Sequence, residues 1–99
     1  MSTIDEGGFG PLVRVLLADD NARFRGVLRR LLERDPDIVV VAEAGDGVEA
    51  LELAESYHPD VVLMDVSMPG LDGLEATYAL KNQHPDVTVL MLSVGDKEQ

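Results

Sequence analysis

Four oxygen-bearing side chains stand directly after short apolar runs. Asp19 and Asp20 follow Val13-Arg14-Val15-Leu16-Leu17-Ala18, Asp65 follows Val61-Val62-Leu63-Met64, and Ser93 follows Val87-Thr88-Val89-Leu90-Met91-Leu92. If those runs are parallel strands, all four side chains share one sheet edge, and with the first and third as neighbours three carboxylates crowd one cleft. Like charges so close cannot all stay ionised without a counter-charge, and a divalent cation supplies it. The donors are oxygens only, which suits Mg²⁺ or Mn²⁺ over zinc or copper; Mg²⁺ keeps several waters and so leaves a place for a phosphate oxygen. A single aspartate after a strand is also an ordinary helix cap, and Asp20 or Asn21 takes that part ahead of the first helix. Three at one edge exceed what capping requires.

The elements that must position these groups alternate along the chain. A fourth apolar run, Ile38-Val39-Val40-Val41-Ala42, lies between the two aspartate-bearing ones. All four are short, β-branched and nearly continuous, the pattern of buried parallel strands. Between the first two, Phe24, Val27, Leu28, Leu31 and Leu32 line one face of a helix, with Arg23, Arg30 and Arg34 opposite. These arginines, with Arg25 and Arg29, read as a solvated face. Asp46 followed by Glu49 resembles a capping box opening a second helix with a narrow stripe of Gly47, Ala50, Leu51 and Ala54. A third helix is predicted from Asp72 or Gly73 to about Asn82, burying Leu74, Thr77, Tyr78 and the stem of Lys81. Gly45, Gly47, Gly70 and Gly73 read as turn and helix-start glycines.

Three junctions repeat one device: Asp35-Pro36-Asp37-Ile38, His58-Pro59-Asp60-Val61 and His84-Pro85-Asp86-Val87. Proline cannot continue a helix and biases its predecessor toward extended backbone, so each junction stops a helix and starts a strand. His58 and His84 there are expected to face the last helical carbonyls. Strands and helices at this spacing call for a parallel sheet with right-handed crossovers and helices on both faces. In such a sheet ligands collect at the carboxyl ends of the strands, where the four oxygen-bearing residues lie.

Composition narrows the function classes. Ninety-nine residues, 45% hydrophobic and 27% charged, suit one globular domain. A formal charge of -11 argues against nucleic acid or anionic membrane as the direct partner. Cysteine is absent, which removes thiolate chemistry and Cys-ligated zinc and favours a reducing, cytoplasmic setting. Residues 1–11 are polar and glycine-rich and read as a flexible lead-in, with the domain spanning 12–99. No membrane-spanning or targeting segment is expected.

The segments Val15-Leu16-Leu17-Ala18-Asp19-Asp20-Asn21 and Asp60-Val61-Val62-Leu63-Met64-Asp65-Val66-Ser67-Met68-Pro69-Gly70-Leu71-Asp72-Gly73, with Ser93 after Val89-Leu90-Met91-Leu92, resemble the receiver domain of two-component response regulators. The branch is the one whose members usually add a helix-turn-helix output domain. The resemblance implies a flavodoxin-like doubly wound α/β fold, strand order 2-1-3-4. It implies Asp65 as phosphoacceptor for a histidine kinase, with Mg²⁺ held by Asp20, Asp65 and the backbone carbonyl of Ser67, and by Asp19 through water. Ser93 would donate to a phosphoryl oxygen, and Ser67 and Gly95 would tune how fast water removes the phosphate. The output implied is transcriptional, without direct DNA binding by these residues.

The chain departs from the family pattern at Gln99, before most of the fourth helix and the whole fifth βα unit, so it reads as C-terminally truncated. The family's lysine on the last strand is absent with it; neither Lys97 nor Lys81 replaces it. The fourth strand would then be an exposed apolar edge, an invitation to a homo-oligomer. Two other functions stand beside the first: a pseudo-receiver that assembles with partners and carries no phosphate, and a Mg²⁺-dependent phosphatase. The second is disfavoured because Ser67 holds the place of such enzymes' second acid.

Overall fold

The three strands after the first each start at or just after a proline junction. The computed structural model describes residues 12–68 and 71–92. Along the chain it runs β1 (Val13–Ala18), α1 (Ala22–Leu32), β2 (Ile38–Ala44), α2 (Gly47–Tyr57), β3 (Val61–Asp65), α3 (Gly73–Gln83) and β4 (Thr88–Leu92). The strands form one parallel sheet in the order β2-β1-β3-β4, as the doubly wound reading requires. Asp60 ties the strand starts together: its N–H donates to the Arg14 carbonyl, its carboxylate accepts from the Arg14 N–H, and its carbonyl accepts from Thr88 N–H.

Strand alternation divides the core into two layers. Leu16, Ala18, Val62 and Met64 face α2 and α3, meeting Ala50, Ala54, Ala76 and Leu80. Val15, Leu17 and Val40 face the other way and pack with Leu28 and Leu32 of α1. β1 lies between two strands, and its last four residues are buried. β4 is the end strand, and there Leu90 is 51% exposed. No helix of the described residues is long and apolar enough to cross a membrane.

The first-turn caps follow from side-chain chemistry. Asn21 accepts from Phe24 N–H, Asp46 from Glu49 N–H and Asp72 from Glu75 N–H, each satisfying a donor the helix leaves open. The cap of α1 is thus Asn21 and not Asp20. Glu49 returns its carboxylate to Gly45 N–H at 2.8 Å, one residue before the position of a capping box.

Three expectations are corrected. α3 turns Leu74 and Tyr78 outward, 65% and 78% exposed, and buries Gly73, Ala76 and Leu80. Two stripes at helical spacing compete there, and the smaller one wins because its short side chains let α3 lie close on the sheet and beside α2. The last carbonyls of α2, those of Tyr57 and His58, accept from the Arg14 guanidinium, and the His84 imidazole meets Glu55 at 3.4 Å. Glycine has more than a turn role at Gly47 and Gly73. A Cβ on Gly47 would lie 2.2 Å from the Leu71 carbonyl oxygen, so the start of α2 needs a residue without one.

Gly26, by contrast, sits inside α1 with nothing within 4 Å of where a Cβ would be. Alanine there costs no contact and removes glycine's helix penalty, so Gly26→Ala is expected to stabilise the chain by about 1 kcal/mol. Thermal unfolding should register this as a Tm rise of roughly 4–8 °C.

Glu33, the C-cap of α1, reaches Val40 N–H at 2.9 Å, next to the place where the β1–β2 register slips by one residue. That backbone hydrogen bond, against an opposing effect of burial and with Arg29 alongside, holds the Glu33 carboxyl below its ordinary value. A carboxyl lowered in the folded state contributes stability above its unfolded value that is lost as pH falls. The Tm difference between the parent and Glu33→Gln is therefore expected to be present at pH 7 and to close below about pH 4.3.

Candidate functional site

Register brings the acidic residues together. Ala18 pairs with Met64 across β1 and β3, so Asp19 and Asp65 leave the sheet side by side. Asp20 follows at the start of the turn into α1. One carboxylate oxygen from each of Asp19, Asp20 and Asp65 lies within 4.8 Å of the others. Asp19 and Asp65 are 1% and 0% exposed, while Asp20 is exposed. The cluster is thus a buried floor with one accessible carboxylate at its mouth.

Local turns aim the two buried carboxylates. Asp19 Oδ1 accepts from Asn21 N–H at 2.8 Å, and Asp65 Oδ1 accepts from Ser67 N–H at 3.1 Å. Each is an aspartate bonding its own backbone two residues on, a geometry short carboxylates favour. The Asp19 N–H donates to Ala44 O, tying the acidic turn to the end of β2. The Asp19 carbonyl accepts from the Arg25 guanidinium.

The donor set fits a small hard cation. Oxygen ligands of an octahedral Mg²⁺ at about 2.0–2.1 Å stand roughly 3–4 Å from one another, within the spread of this cluster. Its carboxylate oxygens suit Mg²⁺ or Mn²⁺ and include none of the thiolate or imidazole donors that softer metals prefer.

Of the residues expected from sequence, Asp19, Asp20 and Asp65 converge, and Ser67 lies two residues beyond Asp65 in an exposed turn. Ser93 and Gly95 lie outside the described residues, as do Lys97 and Gly70. The register pairs Asp65 with Leu92, the residue before Ser93. A separate cavity of about 630 Å³ sits at the other end of the sheet, lined by His58, Asp60, His84 and Asp86 among others, and does not reach the carboxylates.

Two residues are not legible as site residues from sequence. Gly73 lies against the site: a Cβ on it would fall 2.0 Å from the Asp65 carbonyl oxygen. The available signal is a glycine at the first helical position, where propensity does not favour it. Arg25 is not part of a solvated face, since its side chain is only 17% exposed and pairs with Glu43. Its signal is the i, i+4 spacing with Arg29, which also meets Glu43.

Comparison with known proteins accounts for this arrangement. Residues 15–99 match the response regulator receiver domain. The transcriptional regulatory protein DegU of Brevibacillus brevis is 45% identical over 86 residues, which are 87% of this chain and 36% of that protein. The signal receiver domain of a NarL response regulator from Mycobacterium tuberculosis superposes with a TM-score of 0.82 at 39% identity, covering 89% of this chain and 71% of that one. The response regulator domain of Thermotoga maritima CheB does so with a TM-score of 0.81 at 41% identity, covering 88% and 64%. The chain spans little more than a third of the DegU sequence it matches. Sheet order, acidic edge and sequence therefore lead to one family, and the chain belongs to the receiver domains of two-component response regulators.

Proposed function

We propose that the chain is a phosphoacceptor module, modified on Asp65 in a Mg²⁺-dependent reaction with a histidine kinase and governing a transcriptional output from the cytoplasm. The observation that carries this reading is the buried Asp65 carboxylate with Asp19 and Asp20 around it at the carboxyl edge of the sheet. An Asp65 oxygen attacks phosphorus, the bond to the donor's leaving group breaks, and an aspartyl phosphate remains. Asp20, Asp65 and the Ser67 carbonyl would hold Mg²⁺, with Asp19 acting through water. Bound there, the ion offsets charge on the phosphoryl oxygens, the principal demand of a transfer with a loose transition state. The Ser67 N–H and the turn it closes keep Asp65 aimed at the mouth of the site. Ser93 would serve as hydrogen-bond donor to the new phosphoryl group. The relatives' names, a transcriptional regulator among them, support the transcriptional reading.

The test is the intact mass of the chain after incubation with acetyl phosphate and Mg²⁺. One added phosphoryl group, absent when Mg²⁺ is chelated, is the expected result. A folded chain with no adduct would favour the partner-binding pseudo-receiver, with Leu90 and Met91, exposed on β4 among the described residues, as the residues through which a homo-oligomer would form. Light scattering across the micromolar range would then separate monomer from assembly.

A further inference from the structure

We propose that Arg25 is a positioning residue for the acidic site, holding the peptide that joins Asp19 to Asp20 so that Asp20 presents its carboxylate to the cation; the proposal rests on the Mg²⁺ reading above. The Arg25 guanidinium spends its donors on two targets. One Nη donates to the Asp19 carbonyl, and Nε donates to Glu43 Oε1 at 3.1 Å. The carbonyl belongs to the Asp19–Asp20 peptide, so the same hydrogen bond that fixes its plane fixes the direction in which Asp20 leaves the chain.

This peptide is restrained from both ends. Asp19 N–H is tied to Ala44 O on β2, and Asp19 Oδ1 accepts from Asn21 N–H across the turn. Those bonds orient Asp19, whereas Asp20 is exposed, and the Arg25 contact sets the peptide before it. A planar, pre-organised fork is suited to this, because one rigid group spans α1, the turn and β2.

Glu43 makes this arrangement compatible with a cation. A lone guanidinium beside a Mg²⁺ site would repel the ion, but Glu43 neutralises it while fixing its plane. Arg29 also donates to Glu43, through its other oxygen, at 3.0 Å. Side chains behind metal ligands typically govern affinity by 10–100-fold when removed. Arg29 provides an internal control, because it joins the same ion-pair chain through Glu43 and Glu33 and not through the acidic turn.

The experiment is a Mg²⁺ titration of the 99-residue chain, followed by backbone amide chemical shifts, with Arg25→Met, Arg25→Lys and Arg29→Met alongside. The expected result is a Mg²⁺ Kd raised about tenfold in Arg25→Met and unchanged in Arg29→Met, with dispersed spectra in both. A merely structural role would lower both melting temperatures and leave both affinities alone, which would overturn the proposal. If Arg25→Met does not fold, Arg25→Lys decides: a single ammonium lacks the planar fork that reaches Asp19 from Nη and Glu43 from Nε, so weakened binding supports positioning and parental binding overturns it. A parent chain that binds no Mg²⁺ would overturn this proposal and the proposed function together, whereas parental binding in a folded Arg25→Met overturns this one alone.

Discussion

Asp65→Asn is expected to abolish phosphoryl uptake from acetyl phosphate while the chain keeps its fold. Asparagine has nearly the same shape and retains one oxygen that can accept the Ser67 N–H, so the turn after β3 survives. What it loses is the anionic nucleophile, and a neutral amide does not attack phosphorus at neutral pH. The same change removes one of three carboxylates from the cluster, so the Mg²⁺ Kd should rise by about tenfold or more. Intact mass checks the first effect and amide chemical shifts the second. Equal adduct formation by parent and variant would show that phosphate goes to another residue, and the role given to Asp65 would fall.

Among the described glycines, Gly73 should be the one least able to accept a methyl, the change made in Gly73→Ala. The added Cβ would meet the Asp65 carbonyl oxygen at 2.0 Å, Val66 Cα at 2.8 Å and the Asp65 carbonyl carbon at 2.9 Å. All three are backbone atoms, so no rotamer change relieves the clash. Either the start of α3 retreats by about 1 Å or the end of β3 shifts, since carbon contacts settle near 3.5–4.0 Å. Overpacking of this kind costs about 3 kcal/mol, the upper part of its usual span. The expected Tm loss is on the order of 15 °C. Because the displaced atoms belong to Asp65, phosphoryl uptake should fall even at temperatures where the variant is folded. Gly26→Ala is the matched comparison, the same chemical change with the opposite sign in open space. Similar melting temperatures for the two variants would show that the approach of α3 to Asp65 is looser than the geometry indicates.

The α3 helix shows where reading residues in order stops being sufficient. Its limits follow from Asp72 as cap and from the His84-Pro85 junction, both local properties of the chain. Its buried face does not, because Leu74 and Tyr78 satisfy helical spacing as well as Ala76 and Leu80 do. The choice depends on how near a neighbour stands, a quantity that no local window contains. Arg25 illustrates the same gap for charge: it is one arginine among several on α1 until β2 places Glu43 against it.

Local chemistry along the chain is enough to specify the alternation of strands and helices, the caps of α2 and α3, the proline junctions and the placement of Asp19, Asp20 and Asp65 at strand ends. Each rests on interactions within a few residues, where backbone geometry and side-chain donors suffice. Tertiary packing alone made those three carboxylates a cluster, by setting β1 beside β3 in register so that Asp19 and Asp65 emerge together. It alone gave Gly73 its contact with Asp65 and Arg25 its hold on the acidic turn. These are contacts between separate elements, fixed by sheet order and close packing, and their distances exist only once the whole sheet has formed.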